Sequence, residues 1–159
     1  MREILFKAKG IDKDDCDRWY EGYYWFTKDY MFCFSEDYEK AAKQGRDPRH
    51  HYILFDGYSD WCMPVPKYKA EINPETLCQY IGLKDKNGNK IWENDIVECI
   101  WNGKSNIYIV IWDEDEQDFK ATNGDKNYSN NFAYLGSCDE IEVLGTIFDN
   151  PELLVGDKK

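Results

Sequence analysis

Residues 73–101 read NPETLCQYIGLKDKNGNKIWENDIVECIW, and the fold assignment turns on this stretch. Its sharpest local feature is Asn87-Gly88, set between two runs that contain apolar residues. An Asn-Gly pair in that setting predicts a type I′ turn, because both residues tolerate positive φ and the turn's twist matches the strands it joins. Residues 80–83 then form one arm and 90–92 the other. A second tight turn at Glu93-Asn94-Asp95 feeds a strand over 96–101. Just upstream, Asn73-Pro74-Glu75 starts one helical turn, with Asn as cap and Pro at the first helical position.

Working downstream, Asn102-Gly103 is expected to turn the strand at 96–101 into one at 106–112, with Lys104 and Ser105 completing the loop. Residues 107–112 (IYIVIW) are apolar at every position. That pattern predicts burial on both faces, in a small barrel or under a neighbouring subunit. An acidic turn (113–118), a short strand (119–122) and a polar loop (123–131) follow. Residues 131–135 suit a strand or a helical turn. The last strand, 141–148, is expected to bend at Gly145 before a terminal turn at 151–154. Five or six short strands with tight turns predict a small closed barrel resembling an SH3-like fold, which would leave no exposed strand edge.

Upstream, residues 2–9 (REILFKAK) read as a strand with one apolar face, Ile4, Phe6 and Ala8. Residues 18–26 (RWYEGYYWF) and 30–34 (YMFCF) read as two aromatic strands joined by a turn at 27–29. Gly22 marks a bulge or a close backbone approach. Residues 35–44 predict a short helix: Ser35 as cap, Glu36 and Asp37 at its positive end, Gly45 as stop. The same residues also fit a disordered insertion in a long hairpin. A strand at 51–55, a turn at Asp56-Gly57 and an extended run to 63 lead to Pro64 and Pro66, which suit an edge or a linker. Residues 67–72 form another short strand. The expected architecture is therefore mainly β. An N-terminal aromatic-rich antiparallel region with one short helix (1–72) precedes a small barrel (73–155) and a disordered tail (156–159).

The chain has 159 residues, enough for one domain or two small lobes with a core. Aromatic residues make up 16% of it, with 12 Tyr, 8 Phe and 6 Trp. Flat rings pack well on pleated surfaces, so this richness favours β structure, with some rings free to form a recognition surface. The net charge of −11 is uneven: residues 1–81 hold 12 Lys/Arg against 15 Asp/Glu, residues 82–159 hold 8 against 16. An acidic surface repels phosphate backbones and disfavours nonspecific nucleic-acid binding.

Six cysteines (16, 33, 62, 78, 99, 138) include no C-x-x-C pair, so neither a zinc ribbon nor a thioredoxin-like site is supported. The opening residues lead into a strand with no apolar leader behind them, and no run approaches the roughly 20 apolar residues of a membrane span. A cytoplasmic protein with free, buried thiols is expected.

Candidate chemistry is sparse. Asp113, Glu114, Asp115, Glu116 and Asp118 could hold Ca²⁺, but Asp118 occupies the place of an EF-hand's glycine and no distal Glu follows, so a solvated hairpin tip is the expected reading. His50 and His51 are adjacent on a strand and point to opposite faces, away from any shared metal. Asp85 and Asp95 fit their positions as turn residues rather than as a catalytic pair. Cys33 and Cys62 have no recognisable basic companion. There is no phosphate loop, G-x-S-x-G or H-E-x-x-H. Trp19, Tyr23, Tyr24, Trp25, Tyr58 and Trp61 suit a stacking platform for bases, although no Lys or Arg is interleaved with them in sequence.

Taken together, Pro74-Glu75-Thr76, Gln79-Tyr80, residues 82–88 (GLKDKNG), Asp95-Ile96-Val97, Glu142-Val143, Gly145 and residues 150–154 (NPELL) resemble the YopX protein family of bacterial phages and prophages. The opening residues 2–7 match it too. Where that family commonly has Glu-Gly-Asp-Ile-Val, this chain has Glu93-Asn94-Asp95-Ile96-Val97. Asn is the non-glycine residue best able to take positive φ, so the turn is expected to survive. The resemblance implies a phage origin, a β-dominated fold and the cytoplasm of a bacterial host. It carries over no catalytic residue and no cofactor. The resulting expectation is a non-enzymatic module that binds a protein partner, host-encoded and bearing a basic patch. Its candidate surface is Trp19, Tyr23, Trp25, Tyr58 and Trp61. Single-stranded nucleic-acid binding through the same rings is the alternative, and self-association is expected through residues 107–112.

Overall fold

A computed structural model describes residues 3–12, 16–28, 35–44, 49–59, 63–123 and 132–154. The strand expected at 30–34, Cys33, Trp61, Cys62, most of the loop at 123–131 and the tail lie outside these. The described chain is mainly β with one short helix, and it divides into two units. One is Leu5–Leu77; the other is Met1–Ile4 with Cys78–Lys159. No helix among the described residues is long and apolar enough to cross a membrane.

The N-terminal unit contains β1 (Phe6–Lys9), β2 (Trp19–Lys28), α1 (Ser35–Lys43), β3 (Arg49–Ser59) and β4 (Met63–Glu71). Its strands pair antiparallel in the order β4-β3-β2-β1. Directly opposed residues share a face of the sheet. Ala8, Ile53 and Ile72 are buried on one face, with Phe6, Tyr20, Tyr24, Phe55 and Leu77 packed on them. At Gly22 a side chain would collide with the Leu54 carbonyl oxygen, so the glycine marks a close backbone approach. The cap at Asn73 is as expected: its side chain accepts from the Glu75 N–H at 3.0 Å, with Pro74 opening a 3₁₀ turn.

Two predicted turns in this unit are strand instead. β2 runs through Thr27 and Lys28, which pair with His50 and Arg49. β3 likewise runs through Asp56-Gly57. There the register slips, because Asp56 opposes Pro66 and Lys67 is left as the extra residue of a bulge. Pro66 has no N–H to give the ladder, and a bulge on an edge strand absorbs that loss.

The C-terminal unit contains β5 (Cys78–Lys84), β6 (Lys90–Trp92), β7 (Asp95–Trp101), β8 (Lys104–Asp113), β9 (Asp118–Thr122), β10 (Phe132–Ala133) and β11 (Glu140–Thr146). β5 and β6 form a hairpin. The other five make a sheet of order β10-β9-β8-β7-β11. Val97, Cys99, Val110, Phe119, Ala121 and Ile141 from that sheet join Ile81, Ile91 and Leu135 in one buried cluster.

The expected SH3-like barrel is not formed: β10 and β11 are separate edges, and the sheet is open. An open antiparallel sheet can leave part of a face to solvent. That explains a second departure, in β8. Val110 is fully buried, Ile107 on the opposite face is exposed, and Trp112, which shares Val110's face, is exposed at the end of the strand, so the all-apolar strand is not covered along its whole length. Lys104 and Ser105 belong to β8 rather than to the preceding loop, since Trp101 pairs with Lys104 and Ile100 with Ser105. Asn94 does take positive φ, at 66°. Its neighbour Asp95 is fully buried and accepts the Trp92 N–H at 2.8 Å.

The turn at Asn87-Gly88 differs in type from the expectation. Only Gly88 has positive φ, at 85°. Asp85 governs the loop. Its Oδ1 accepts from the N–H groups of Asn87 (2.9 Å) and Asn89 (2.8 Å), and its Oδ2 accepts from the Asn89 side chain (3.1 Å) and the Val143 N–H (3.3 Å). A carboxylate at the first turn position favours a type I turn closed by a left-handed glycine, and this wins over type I′.

Candidate functional site

The second face of the N-terminal sheet is where the predicted aromatic residues gather. Along β2, Trp19, Glu21, Tyr23, Trp25 and Thr27 share this face by the two-residue period of a strand. Register adds the rest. Lys7 and Lys9 of β1 stand opposite Glu21 and Trp19. Leu54, Tyr52 and His50 of β3 stand opposite Tyr23, Trp25 and Thr27. Lys69 and Glu71 of β4 stand opposite Leu54 and Tyr52.

The contacts on this face alternate rings with cations. Lys7 Nζ lies 5.0 Å from the Trp19 ring centre and Lys9 Nζ 5.6 Å from it. Lys69 Nζ lies 4.6 Å from the Tyr52 ring, which stacks on Trp25 at 5.5 Å. Such cation–ring contacts are each worth about 0.5–1 kcal/mol when exposed. Tyr23 is 62% exposed and Trp25 44%, large values for rings of their size. The His50 Nδ1–H donates to Glu71 Oε1 across 2.7 Å. Burial, helped by the Glu71 charge, holds the Tyr52 hydroxyl above the ordinary tyrosine range, so it stays protonated and able to donate.

Trp19, Tyr23 and Trp25 thus share one face of the sheet. Tyr24 does not: it lies on the inner face, its hydroxyl 2.7 Å from His51 Nδ1. His50 and His51 point to opposite sides. Tyr58 pairs with Pro64 in the ladder, while its side chain, like Trp61, lies outside the described residues. Tyr52, Lys7, Lys9 and Lys69 were missed by sequence reasoning. They are remote from Trp19–Trp25 in sequence, and only the strand register places them there. No lysine is interleaved with these rings in sequence; the register brings Lys7, Lys9 and Lys69 onto their face from β1 and β4.

The acidic run resolves differently. Lys120 of β9 is almost fully buried, and its Nζ reaches Asp113 Oδ2 at 2.7 Å and Glu116 Oε1 at 2.8 Å. The rings of Phe132 and Tyr134 lie 5.1 and 5.4 Å from it, and the Tyr134 hydroxyl donates to Glu116 at 3.0 Å. Burial by itself would lower the Lys120 pKa, but the two carboxylates outweigh it and hold the ammonium charged well above its ordinary range. Lys120 in turn holds Asp113 and Glu116 below the usual carboxylate range. Two acids of the run therefore neutralise a buried lysine. Among the described residues no group of three or more His, Cys, Asp or Glu is placed to hold a metal ion.

Asp85 and Asp95, the other carboxylates weighed, each cap backbone N–H groups. Of the thiols, Cys78 and Cys99 are buried. Burial first, then the neighbouring Cys138, pushes the Cys99 thiol up to about 12, which keeps it protonated and unreactive.

The fold and this face define a small antiparallel β protein that presents a ring-and-cation sheet surface. A family model described as YopX protein matches residues 11–155, nearly the whole chain, and the chain belongs to that family. Among solved structures it is similar to the crystal structure of protein EF1440 from Enterococcus faecalis. That match has 18% identity and a TM-score of 0.48, and it covers 97% of this chain and 99% of that one. No curated protein matches the chain.

Proposed function

We propose that this chain is a non-enzymatic binding module that holds single-stranded nucleic acid across the exposed face of its N-terminal sheet. One observation carries this reading: exposed Tyr23 and Trp25 flanked, through strand register, by the Lys7–Trp19–Lys9 and Lys69–Tyr52 pairs. Every base has a flat face for such rings, and backbone phosphates sit between bases, where the ammonium groups stand. The net charge of −11 acts against it at long range, so local contacts must outweigh a repulsive field.

Titration of a labelled oligothymidine, followed by anisotropy in low salt, tests the reading. Three lysines predict that log K falls against log salt with a slope of about −2. Replacing Tyr23 and Trp25 together by Ala is expected to weaken binding by tenfold or more, since each stacked base contributes about 1–3 kcal/mol. No binding at low salt, or binding indifferent to salt, overturns it.

A second reading, a protein partner with a basic patch, is supported by the other half of the chain, where residues 82–159 hold 8 basic against 16 acidic side chains. Capture of a defined host protein that survives nuclease treatment would favour it.

A further inference from the structure

The C-terminal unit has a hollow of about 280 Å³ lined by Gln79, Glu93, Trp112 and Phe119. Four separate elements meet there: β5, the turn after β6, the end of β8 and the start of β9. Glu93 stands on a turn with little freedom. Its N–H donates to the Gln79 carbonyl at 2.9 Å, the next N–H, that of Asn94, donates to the Val110 carbonyl at 2.8 Å, and Asp95 holds the Trp92 N–H from the other side. The wall is aromatic. Trp112 and Phe119 meet edge to face at 4.9 Å, Phe119 buried and Trp112 43% exposed.

The Glu93 carboxyl is half-buried against this wall. Burial raises its pKa above the ordinary range, against a Gln79 backbone contact that lowers it. The contrast with other carboxylates of the unit is informative. Asp113 and Glu116 have Lys120, and Glu142 has Lys86 at 2.6 Å. Among the described residues no lysine or arginine pairs with Glu93.

We infer that this hollow is a binding site for a planar cation, the guanidinium of an arginine carried on a basic protein segment. A half-buried carboxylate beside an exposed indole supplies both things a guanidinium uses: acceptor oxygens for its fork of N–H groups and a ring on which to lie flat. The Gln79 side chain adds an amide oxygen to the acceptor set. The space is at the small end for a ligand pocket, which suits a single side chain better than a cofactor. The surrounding half of the chain is strongly acidic and attracts such a segment. This site lies in the C-terminal unit alone and stands whether or not the N-terminal sheet takes nucleic acid.

The test is an NMR titration of the full ¹⁵N-labelled chain, read at the Trp112 indole N–H, which Trp112→Phe assigns among the 6 tryptophans. Ethylguanidinium is the probe and butylammonium its control. The expected result is a saturating shift at Trp112 with ethylguanidinium, about threefold or more weaker with butylammonium, because only the planar cation stacks and forks. Glu93→Gln should abolish the shift and leave the other indole signals in place. Glu93→Asp, which keeps the charge but retracts it, should bind several-fold more weakly with the fold intact. An unmoved Trp112 signal, an equal response to butylammonium, or full binding by both Glu93 variants overturns the inference.

Discussion

Two Asn-Gly pairs reverse the chain in the C-terminal unit, and they do it differently. At Asn102-Gly103 both residues have positive φ, 49° and 73°, and Trp101 pairs directly with Lys104. That is a two-residue type I′ hairpin, closed by the conformational preferences of the pair itself. At Asn87-Gly88 only the glycine is left-handed. The loop spans three residues, with the Asp85 N–H on the Asn89 carbonyl at 2.8 Å and the Gly88 N–H on the Asp85 carbonyl at 3.0 Å. The difference lies two residues before Asn87, where a 7% exposed carboxylate collects four hydrogen bonds. A dipeptide permits a turn type; the neighbouring side chain selects it.

Removing that selector is the hardest way to break the comparison. Asp85→Ala is expected to cost about 2–3 kcal/mol in urea denaturation, because it leaves several donors without their acceptor at once. The same group carries a pH signature. Burial on its own would raise the Asp85 pKa, but the hydrogen bonds from Asn89, Val143 and Asn87 outweigh it and hold the carboxyl below the ordinary range. Its contribution is therefore present above the unfolded value of about 3.9 and is lost as pH falls through the lower folded value. Stability curves measured between pH 5 and 2 should separate wild type from Asp85→Asn at the upper end and converge at the acid end.

Substituting the glycines sharpens the comparison at middle scale. Neither Gly88 nor Gly103 has any atom within 4 Å of an added Cβ, so Ala at either costs only the left-handed backbone, about 1–2 kcal/mol. Near-equal losses in the two variants would confirm that glycine plays one role in both turns; a much larger loss at Gly88 would show the loop and its carboxylate to be coupled. The smallest expected effect is Asp139→Ala. Its carboxylate accepts the Asn102 N–H at 2.9 Å on an exposed surface, and its removal should cost about 0.5–1 kcal/mol.

Local rules were legible wherever a residue acts on its own backbone. α1 begins at Ser35 with Glu36 and Asp37 in its first turn, Asn73-Pro74 capped the 3₁₀ turn, and Asn94 took the left-handed turn expected of it. What pairing decides was not legible. Thr27-Lys28 reads as a turn because it is polar, yet the ladder with His50 and Arg49 keeps it in β2. The apolar run at 107–112 reads as doubly buried, yet Ile107 is exposed on the face opposite Val110 and Trp112 is exposed at the strand's end. The candidate surface divides the same way. Trp19, Tyr23 and Trp25 share a strand and a parity, so the two-residue period alone places them on one face. Lys7, Lys9, Tyr52 and Lys69 come from three other strands and needed the register. Glu93 gave no sign at all, since its hollow is assembled from four elements.

The bonds that finish these turns also imply an order of events. Val143, whose N–H reaches Asp85, is 58 residues further along the chain. Ile141 likewise accepts from the Lys86 N–H at 2.9 Å, and the Ile147 N–H reaches the Asn94 carbonyl at 3.1 Å. The early hairpin thus cannot complete its hydrogen bonding until β11 arrives. Contacts of such span close slowly, because a long stretch of chain must be ordered before they form. During synthesis the region around Asp85 leaves the ribosome well before the strand it waits for, so the Lys86 amide, unlike those of Asn87, Gly88 and Asn89 that bond to Asp85 within the loop, should gain protection from hydrogen exchange only when the final strand docks.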